Sequence, residues 1–493
     1  MKETRTEKYQ TMGALLLLSA GALMVHGYHP CAEDAEIYLP GVEKILHPEL
    51  FPAWREFFSS HASLTFFPNL IAFSLRVTHL PMEMGLFLWH VASVFLLLLA
   101  CWELSGLFFS TTRARWGGVC LVAALLTIPV AGTALYIMDQ YLNPRNLAAF
   151  ASVFAVVRTL EKKYWSAFLW LAFAGSVHPL MWVFPFSFCV LLVVMDRFEG
   201  CWKKATTGAL AGLLLPGIPL ARIPSQAYEK VAKLHSYFYI QNWAWYEWLG
   251  IVAPIGMFWW FGRIMRRRHL STLERACRAF VVYGLVYLVA ALVVDLPARF
   301  EVLARLQPLR SLHLFYIVMF VVVGGFVGEY FLQGRVWRWL LLFVPLSMGM
   351  FFAQRSLFPA SPHVEWPGVA PRNSWAQAFV WIRQNTPTDA VFALDPDYMH
   401  VAGEDEIGFR CLAQRSRLAD AVKDNGVVSM FPPLAEEWWE QVQAQTLWRN
   451  FQLQDFLRLK NHYGVSWVVL QQPGVARLDC LFQNAAVRVC RIP

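Results

Sequence analysis

Charge is what this 493-residue sequence has least of: 15% of its residues are Asp, Glu, Lys or Arg, where soluble domains carry about 25%. The shortage is concentrated. Residues 116–138 hold no charged side chain, and 164–195 hold only His178. Runs of that length read as membrane spans and exclude an ordinary soluble enzyme. The spans are almost free of ionisable groups, which argues against an ion-coupled transporter. Nine cysteines occur with no CxxC and no His/Cys ligand spacing, which argues against a zinc site and a disulfide framework. Cys480 and Cys490 are left either to pair across a terminal hairpin or to stay as thiols. No Asn-x-Ser/Thr site with a permitted middle and following residue is present, which favours a bacterial plasma (inner) membrane over the endoplasmic reticulum. No repeat or low-complexity tract occurs.

The charge that is there sums to +8, yet from Arg355 onward 13 Lys and Arg face 14 Asp and Glu. The positive excess therefore belongs to the apolar part, where it reports topology and not nucleic-acid binding. Basic clusters lie at the N-terminus, at Arg113/Arg115, Arg158/Lys162/Lys163, Arg197/Lys203/Lys204, Arg263 with Arg266, Arg267 and Arg268, Arg275/Arg278 and Arg335/Arg338. Cytoplasmic loops collect such residues. Residues 12–25 read as an uncleaved first helix, not a signal peptide.

Weakly charged runs lie at 11–28, 62–75, 84–102, 116–138, 146–157, 164–177, 180–195, 205–221, 248–262, 279–294, 311–328 and 339–354. Placing every basic cluster inside makes 164–195 cross twice, turning at His178-Pro179. It also forbids 62–80 to span. With Pro68, Asn69, Arg76 and His79, that stretch reads as a helix in the outer interface. The expectation is an all-α membrane domain of about eleven spans over 1–354, followed by an extracytoplasmic α/β domain over 355–493. In the latter, 374–384 and 434–460 read as helical, and 391–394, 465–470 and 487–492 as strands.

Candidate chemistry lies in outer loops over 29–83, 137–146 and 295–310. The first carries Glu33, Asp34 and Glu36 just after the first span, and the second carries Asp139 and Arg145. The third carries Arg299, Arg305, Gln307 and Arg310. Arginine on the outer side runs against the orientation bias, and its guanidinium fork suits a phosphate or diphosphate. A carboxylate facing it could take a proton from a hydroxyl. Plainer readings stand beside these. Asp34 could cap a helix with Glu36 in its first turn, and Asp139 could be a loop residue paired with Arg145. Arg305 and Arg310 could bind headgroups non-specifically, His178 could mark a turn, and 237–248 could be an interfacial aromatic belt.

The order of these features resembles the GT-C glycosyltransferases, membrane enzymes that take sugars from polyprenyl-phosphate carriers. Glu33-Asp34 is followed by a non-crossing helix, two spans and a second-loop acid, Asp139, in the family's sequence. The resemblance implies Asp34 as catalytic base, with Glu33 and Asp139 as acidic partners. It implies Arg145 and the segment Gln307-Pro308-Leu309-Arg310 as lipid-phosphate contacts. Glu36, Arg299, Arg305 and His178 complete the candidate substrate-binding residues, from the reading of the loops themselves. There are departures. The second loop has one acid and no Asp-x-Asp, which leaves dependence on Mg or Mn open. Trp438-Trp439 is followed by Glu440-Gln441-Val442, which disfavours transfer to a peptide asparagine. The expected function is transfer of a hexose or pentose from a polyprenyl-phosphate donor to a glycan, lipid or protein acceptor. A lipid-linked oligosaccharide flippase and a non-enzymatic membrane-anchored scaffold or sensor are the alternatives.

Overall fold

The computed structural model describes residues 4–197, 225–267, 271–294 and 305–493. Its first part is helical: α1 (Arg5–His26), α2 (Ala35–Leu46), α3 (Glu56–Ser63), α4 (Phe67–Thr78), α5 (Met82–Phe108), α6 (Thr112–Ala124), α7 (Pro144–Leu160), α8 (Tyr164–Val177) and α9 (Pro179–Arg197). After the gap come α10 (Gln226–Leu234), α11 (Trp245–Arg267), α12 (Ser271–Val294), α13 (Leu312–Phe326) and α14 (Val336–Leu357). A 3-10 turn, Pro308–Ser311, leads into α13, and a π-helical stretch, Val327–Leu332, ends it.

Seven of these helical stretches are long and apolar enough to cross a membrane: α1, α5, α9, α11, α12, Pro308–Leu332 and α14. The chain thus reads as an integral membrane protein, but the expected count of eleven is not reached among the described residues. The expected span 205–221 lies outside them. The other three shortfalls have a physical cause. α6, α7 and α8 have 13, 17 and 14 residues, so they rise roughly 20, 26 and 21 Å, less than the ~30 Å hydrocarbon core.

The expected span over 116–138 is broken. α6 ends at Ala124, and irregular chain runs from there to Asn143. Pro129 has no N–H to give and disfavours helix in the residue before it. The freed backbone groups are met inside the protein: Val130 N–H donates to the Leu135 carbonyl (2.8 Å), and Met138 N–H to that of Leu126 (2.8 Å). His313 Nε2 lies 3.0 Å from the Ile137 carbonyl. Irregular backbone among apolar residues persists where protein buries it. Asn143 then starts α7, its side chain accepting from Asn146 N–H, with Pro144 in the first turn.

The break at His178-Pro179 falls where the sequence places it. The stretch 62–80, expected not to cross, holds the 12-residue α4, about 18 Å long. At the heart of the bundle α6 meets α13 through glycines. A Cβ on Gly117 would stand 2.3 Å from the Gly324 carbonyl oxygen, and one on Gly324 the same distance from that of Gly117. Small residues let membrane helices approach this closely.

The C-terminal region carries a five-stranded sheet of order β2-β1-β3-β5-β4. Its strands are β1 (Val391–Ala393), β2 (Ser416–Arg417), β3 (Trp467–Gln471), β4 (Asp479–Gln483) and β5 (Val487–Arg491). β1 pairs parallel with β2 and β3, and β5 antiparallel with β3 and β4. The helices are α15 (Ser374–Asn385), α16 (Phe409–Ala413), α17 (Asp424–Met430), α18 (Ala435–Ala444) and α19 (Leu453–Tyr463). The single helical stretch expected over 434–460 is two, parted at Leu447, which is left-handed (φ 61°). Phe379, Phe392 and Phe409 fill one face of the sheet, and Phe456, Leu459 and Val468 the other.

Cysteine corrects the sequence reading. Cys480 pairs with Cys490 across the β4–β5 hairpin, and Cys31 pairs with Cys411, 380 residues away. The second bond ties the segment after α1 to α16 of the C-terminal region.

Candidate functional site

Two things happen at the start of α2. Asp34 occupies the N-cap position but is helical (φ −67°, ψ −7°), and its side chain makes no capping bond. Its carboxylate turns instead to Arg145, whose Nη1 donates to Asp34 Oδ2 at 2.8 Å. The same guanidinium reaches Asp139 Oδ2 through Nε at 3.2 Å, and Asn143 Nδ2 donates to that oxygen at 2.5 Å. One arginine thus bridges the acids of two separate loops. On the other side, Lys423 of the C-terminal region pairs with Glu33 and stands 3.6 Å from Asp34 Oδ1.

The backbone here is unusual. Glu33 has φ 56°, and Asp405 and Glu406 have φ 64° and 55°. Left-handed conformations at non-glycine residues carry strain and gather at functional sites. Glu33 N–H donates to the Glu406 carbonyl at 2.9 Å, so the strained pieces hold each other.

Two cavities meet at Asp34. One, of about 210 Å³, is lined by apolar Ile37, Leu64, Val177, Leu180 and Met430, and by His61, His178, Gln307 and Arg310. The other, of about 180 Å³, is more polar, with Glu33, Asp139, Tyr136, Tyr141, Lys423 and Asn425. Asp34, Arg145, Tyr237 and Arg310 border both. Among the described residues, buried polar atoms on these walls have no hydrogen-bond partner: His61 Nδ1, His178 Nε2, Gln307 Oε1 and Arg310 Nε in the first, and Asn425 Oδ1 in the second. Buried polar groups are nearly always paired, so these atoms leave donors and acceptors open to a polar group that enters the cavities.

Electrostatics separates the acids. Burial alone would raise Asp34, but Arg145 and then Lys423 outweigh it and hold its carboxyl well below the usual range. Burial raises Asp139 against the pull of Arg145. Glu406 is pushed up to about 9 by burial, then by its hydrogen bond to Glu33 and that residue's charge. Burial brings His61 down to about 4, so it is neutral at ordinary pH.

The sequence-predicted residues divide clearly. Glu33, Asp34, Asp139, Arg145, His178, Gln307 and Arg310 come together on the cavity walls. Glu36 does not. It is fully buried away from both cavities and accepts from Arg410 N–H (2.7 Å), Cys411 N–H (3.2 Å) and Arg417 Nη2 (2.9 Å). The helix phase explains this, since two residues on from Asp34 the side chain points to the far side of α2. Arg305 lines neither cavity, and Arg299 lies outside the described residues. Of the expected aromatic belt, Tyr237 reaches the cavities, while Trp245 and Tyr246 are exposed. Sequence reasoning missed Lys423, Asn425, Gly426, Ser429 and Met430, which the C-terminal region brings to the walls. Nothing in their local sequence signals it.

The Arg145 guanidinium stands between Asp34 and Asp139, and among the described residues no group of three His, Cys, Asp or Glu side chains could hold a metal ion. No protein-family model matches this chain, and no curated protein matches it.

Proposed function

We propose that the chain is a GT-C-like membrane glycosyltransferase that moves a sugar from a polyprenyl-phosphate donor to an acceptor hydroxyl outside the cytoplasm, with inversion. The observation that carries this reading is the place of Asp34, a carboxylate on the shared wall of two cavities. One cavity is apolar with an arginine that pairs with no described acid; the other is polar and rich in tyrosine and carboxylate.

In this reading the first cavity takes the carrier phosphate and its sugar, with Arg310 on the phosphate. The second takes the acceptor. Asp34 accepts the acceptor's O–H proton as that oxygen bonds to the anomeric carbon. The bond from that carbon to the phosphate oxygen breaks on the opposite face of the ring, and its electron pair leaves with the phosphate. A free Asp34 held so low is a weak base. The donor's negative charge, arriving beside Arg145 and Arg310, would offset the cations and raise its basicity.

The orientation belongs to the same proposal, with the N-terminus cytoplasmic and the C-terminal region outside a bacterial plasma membrane. Both disulfides lie with the C-terminal region or against it, while the unpaired cysteines among the described residues, Cys101, Cys120, Cys189 and Cys277, lie in the bundle helices. Disulfides persist in oxidising compartments.

The test is release of polyprenyl phosphate from a panel of polyprenyl-phosphate sugars by the purified full-length protein in nanodiscs. Acceptor-stimulated release supports the reading. Tight donor binding without turnover of any donor, with or without a cell-envelope extract as acceptor source, would count against it.

A further inference from the structure

Lys423 enters the site from the C-terminal region, directly before α17, and its side chain is 12% exposed. Its neighbours are fastened down independently of the cavities. Asp424 takes Arg410 in a two-pronged pair (2.8 and 3.0 Å), Arg410 and Arg417 converge on Glu36, and Cys411 is bonded to Cys31. The ammonium is therefore placed by the docking of the C-terminal region and not by the bundle.

Several groups face Asp34. Arg145, Asp139 and Tyr141 stand on one side, Tyr38 on its own helix, and Arg310 and Tyr237 across the cavities. His61, His178 and His235 lie on the cavity walls, and Glu33 and Glu406 beside Lys423. Arg145 divides itself between Asp34 and Asp139. Lys423 is the cation that the C-terminal region adds to the described residues around Asp34.

We propose that Lys423 is a positioning residue for Asp34: its ammonium, set between Glu33 and Asp34 by docking of the C-terminal region, adds to Arg145 in stabilising the ionised Asp34 carboxylate and fixes its direction. Its catalytic meaning rests on Asp34 being the base proposed above; the contact itself does not. A competent site then exists only while the C-terminal region is seated. An opposite charge at this range lowers a carboxyl by about 1–3 pH units, the same direction as the depression of Asp34.

The experiment reads protonation of Asp34 without relying on turnover. Dicyclohexylcarbodiimide attaches to protonated carboxyls, and peptide mass spectrometry of the full-length protein, labelled at pH 6, gives the rate at Asp34 itself. Glu406, whose carboxyl is pushed up to about 9 by burial and then by Glu33, is expected to label in the wild-type protein and serves there as the reference. Lys423→Met should speed labelling of Asp34 by about 10- to 1,000-fold, the counterpart of a 1–3 unit rise. Lys423→Arg should stay close to the wild-type rate. Because Lys423→Met strands Glu33, the double variant Glu33→Gln/Lys423→Met, which removes both charges of the pair, is measured beside it. An intact Cys31–Cys411 bond and unchanged melting report folding in each. An unchanged Asp34 rate in whichever of these variants folds overturns the proposal, and so does an equal rise in Lys423→Arg. Sugar transfer by the wild-type protein is assayed separately. Its absence would remove the glycosyltransferase reading and leave the labelling result standing.

Discussion

Asp34 and Glu36 are two residues apart, and each sits in a knot of carboxylates and cations, fully buried at Glu36 and partly exposed at Asp34, yet the two knots differ in kind. Around Glu36 the groups satisfy one another. Its oxygens accept from Arg410 and Arg417 and from two backbone N–H groups, and Asp420 and Asp424 take up the remaining guanidinium donors. Neither cavity borders Glu36. Around Asp34 the residue types are the same, but two cavities open and five polar atoms on their walls have no partner among the described residues. Charge and burial do not by themselves mark a site. Unfilled space faced by unpaired donors and acceptors is what makes Asp34 the candidate.

That contrast can be broken most sharply at Asp34. Asp34→Asn keeps the shape of the side chain, and both neighbouring cations retain another carboxylate, Arg145 with Asp139 and Lys423 with Glu33. Turnover should fall by about 10²- to 10⁴-fold with melting nearly unchanged. Most of the transfer rate surviving in purified Asp34→Asn would show that this knot is as structural as the other.

Glu36→Ala should give the opposite pattern. It leaves Arg410 and Arg417 buried with one carboxylate fewer, and breaking a buried pair costs about 3–5 kcal/mol. The expected result is a lower melting temperature and faster proteolysis of the C-terminal region, with activity lost in step with folding. A stable but inactive Glu36→Ala would move Glu36 into the chemistry.

Arg310 should show a smaller, purely binding effect. A charge-assisted contact to phosphate contributes about 1.5–3 kcal/mol, so Arg310→Ala should raise KM for the lipid donor roughly 10- to 150-fold. Arg310→Lys should recover part of it, since the fork geometry is lost. An unchanged KM in both would place the donor phosphate elsewhere.

Glu406 adds a pH effect. In the unfolded chain it ionises near 4.5, whereas folded it holds its proton to about 9. Between those values the folded state binds the extra proton, so its contribution to stability is full below 4.5 and declines as pH rises toward 9. Glu406→Gln stays neutral and lacks that decline. Its melting temperature relative to wild type should climb between pH 5 and pH 8, and a constant difference would show that Glu406 is ionised in the fold. The smallest expected effect is that of a chelator. With Arg145 standing between Asp34 and Asp139, EDTA should leave transfer unchanged, and loss restored by Mg or Mn would contradict that arrangement.

What the sequence determined by itself was whatever short-range pattern can encode. Long uncharged runs mark the seven span-length helices, because lipid excludes charge along a whole helix. Acids and arginines at the ends of those runs pointed to Asp34, Asp139, Arg145 and Arg310, all of which reach the cavities. The turn residues at 385–389 marked the boundary between α15 and β1. Strand β2, two residues long, and edge strand β4, whose side chains are at least partly exposed throughout, are too brief or too polar to show a pattern.

Only the tertiary structure decided the rest. It ended α6 at Ala124 and buried the irregular chain that follows, turned Glu36 away from its neighbour, joined Cys31 to Cys411, and brought Lys423 onto Asp34. Each of these depends on groups far apart in the chain, and a contact across 380 residues leaves no trace in the local sequence at either end. The carboxylates were legible because they follow directly on a long uncharged run; the lysine was not, because its place is fixed by the docking of another part of the fold.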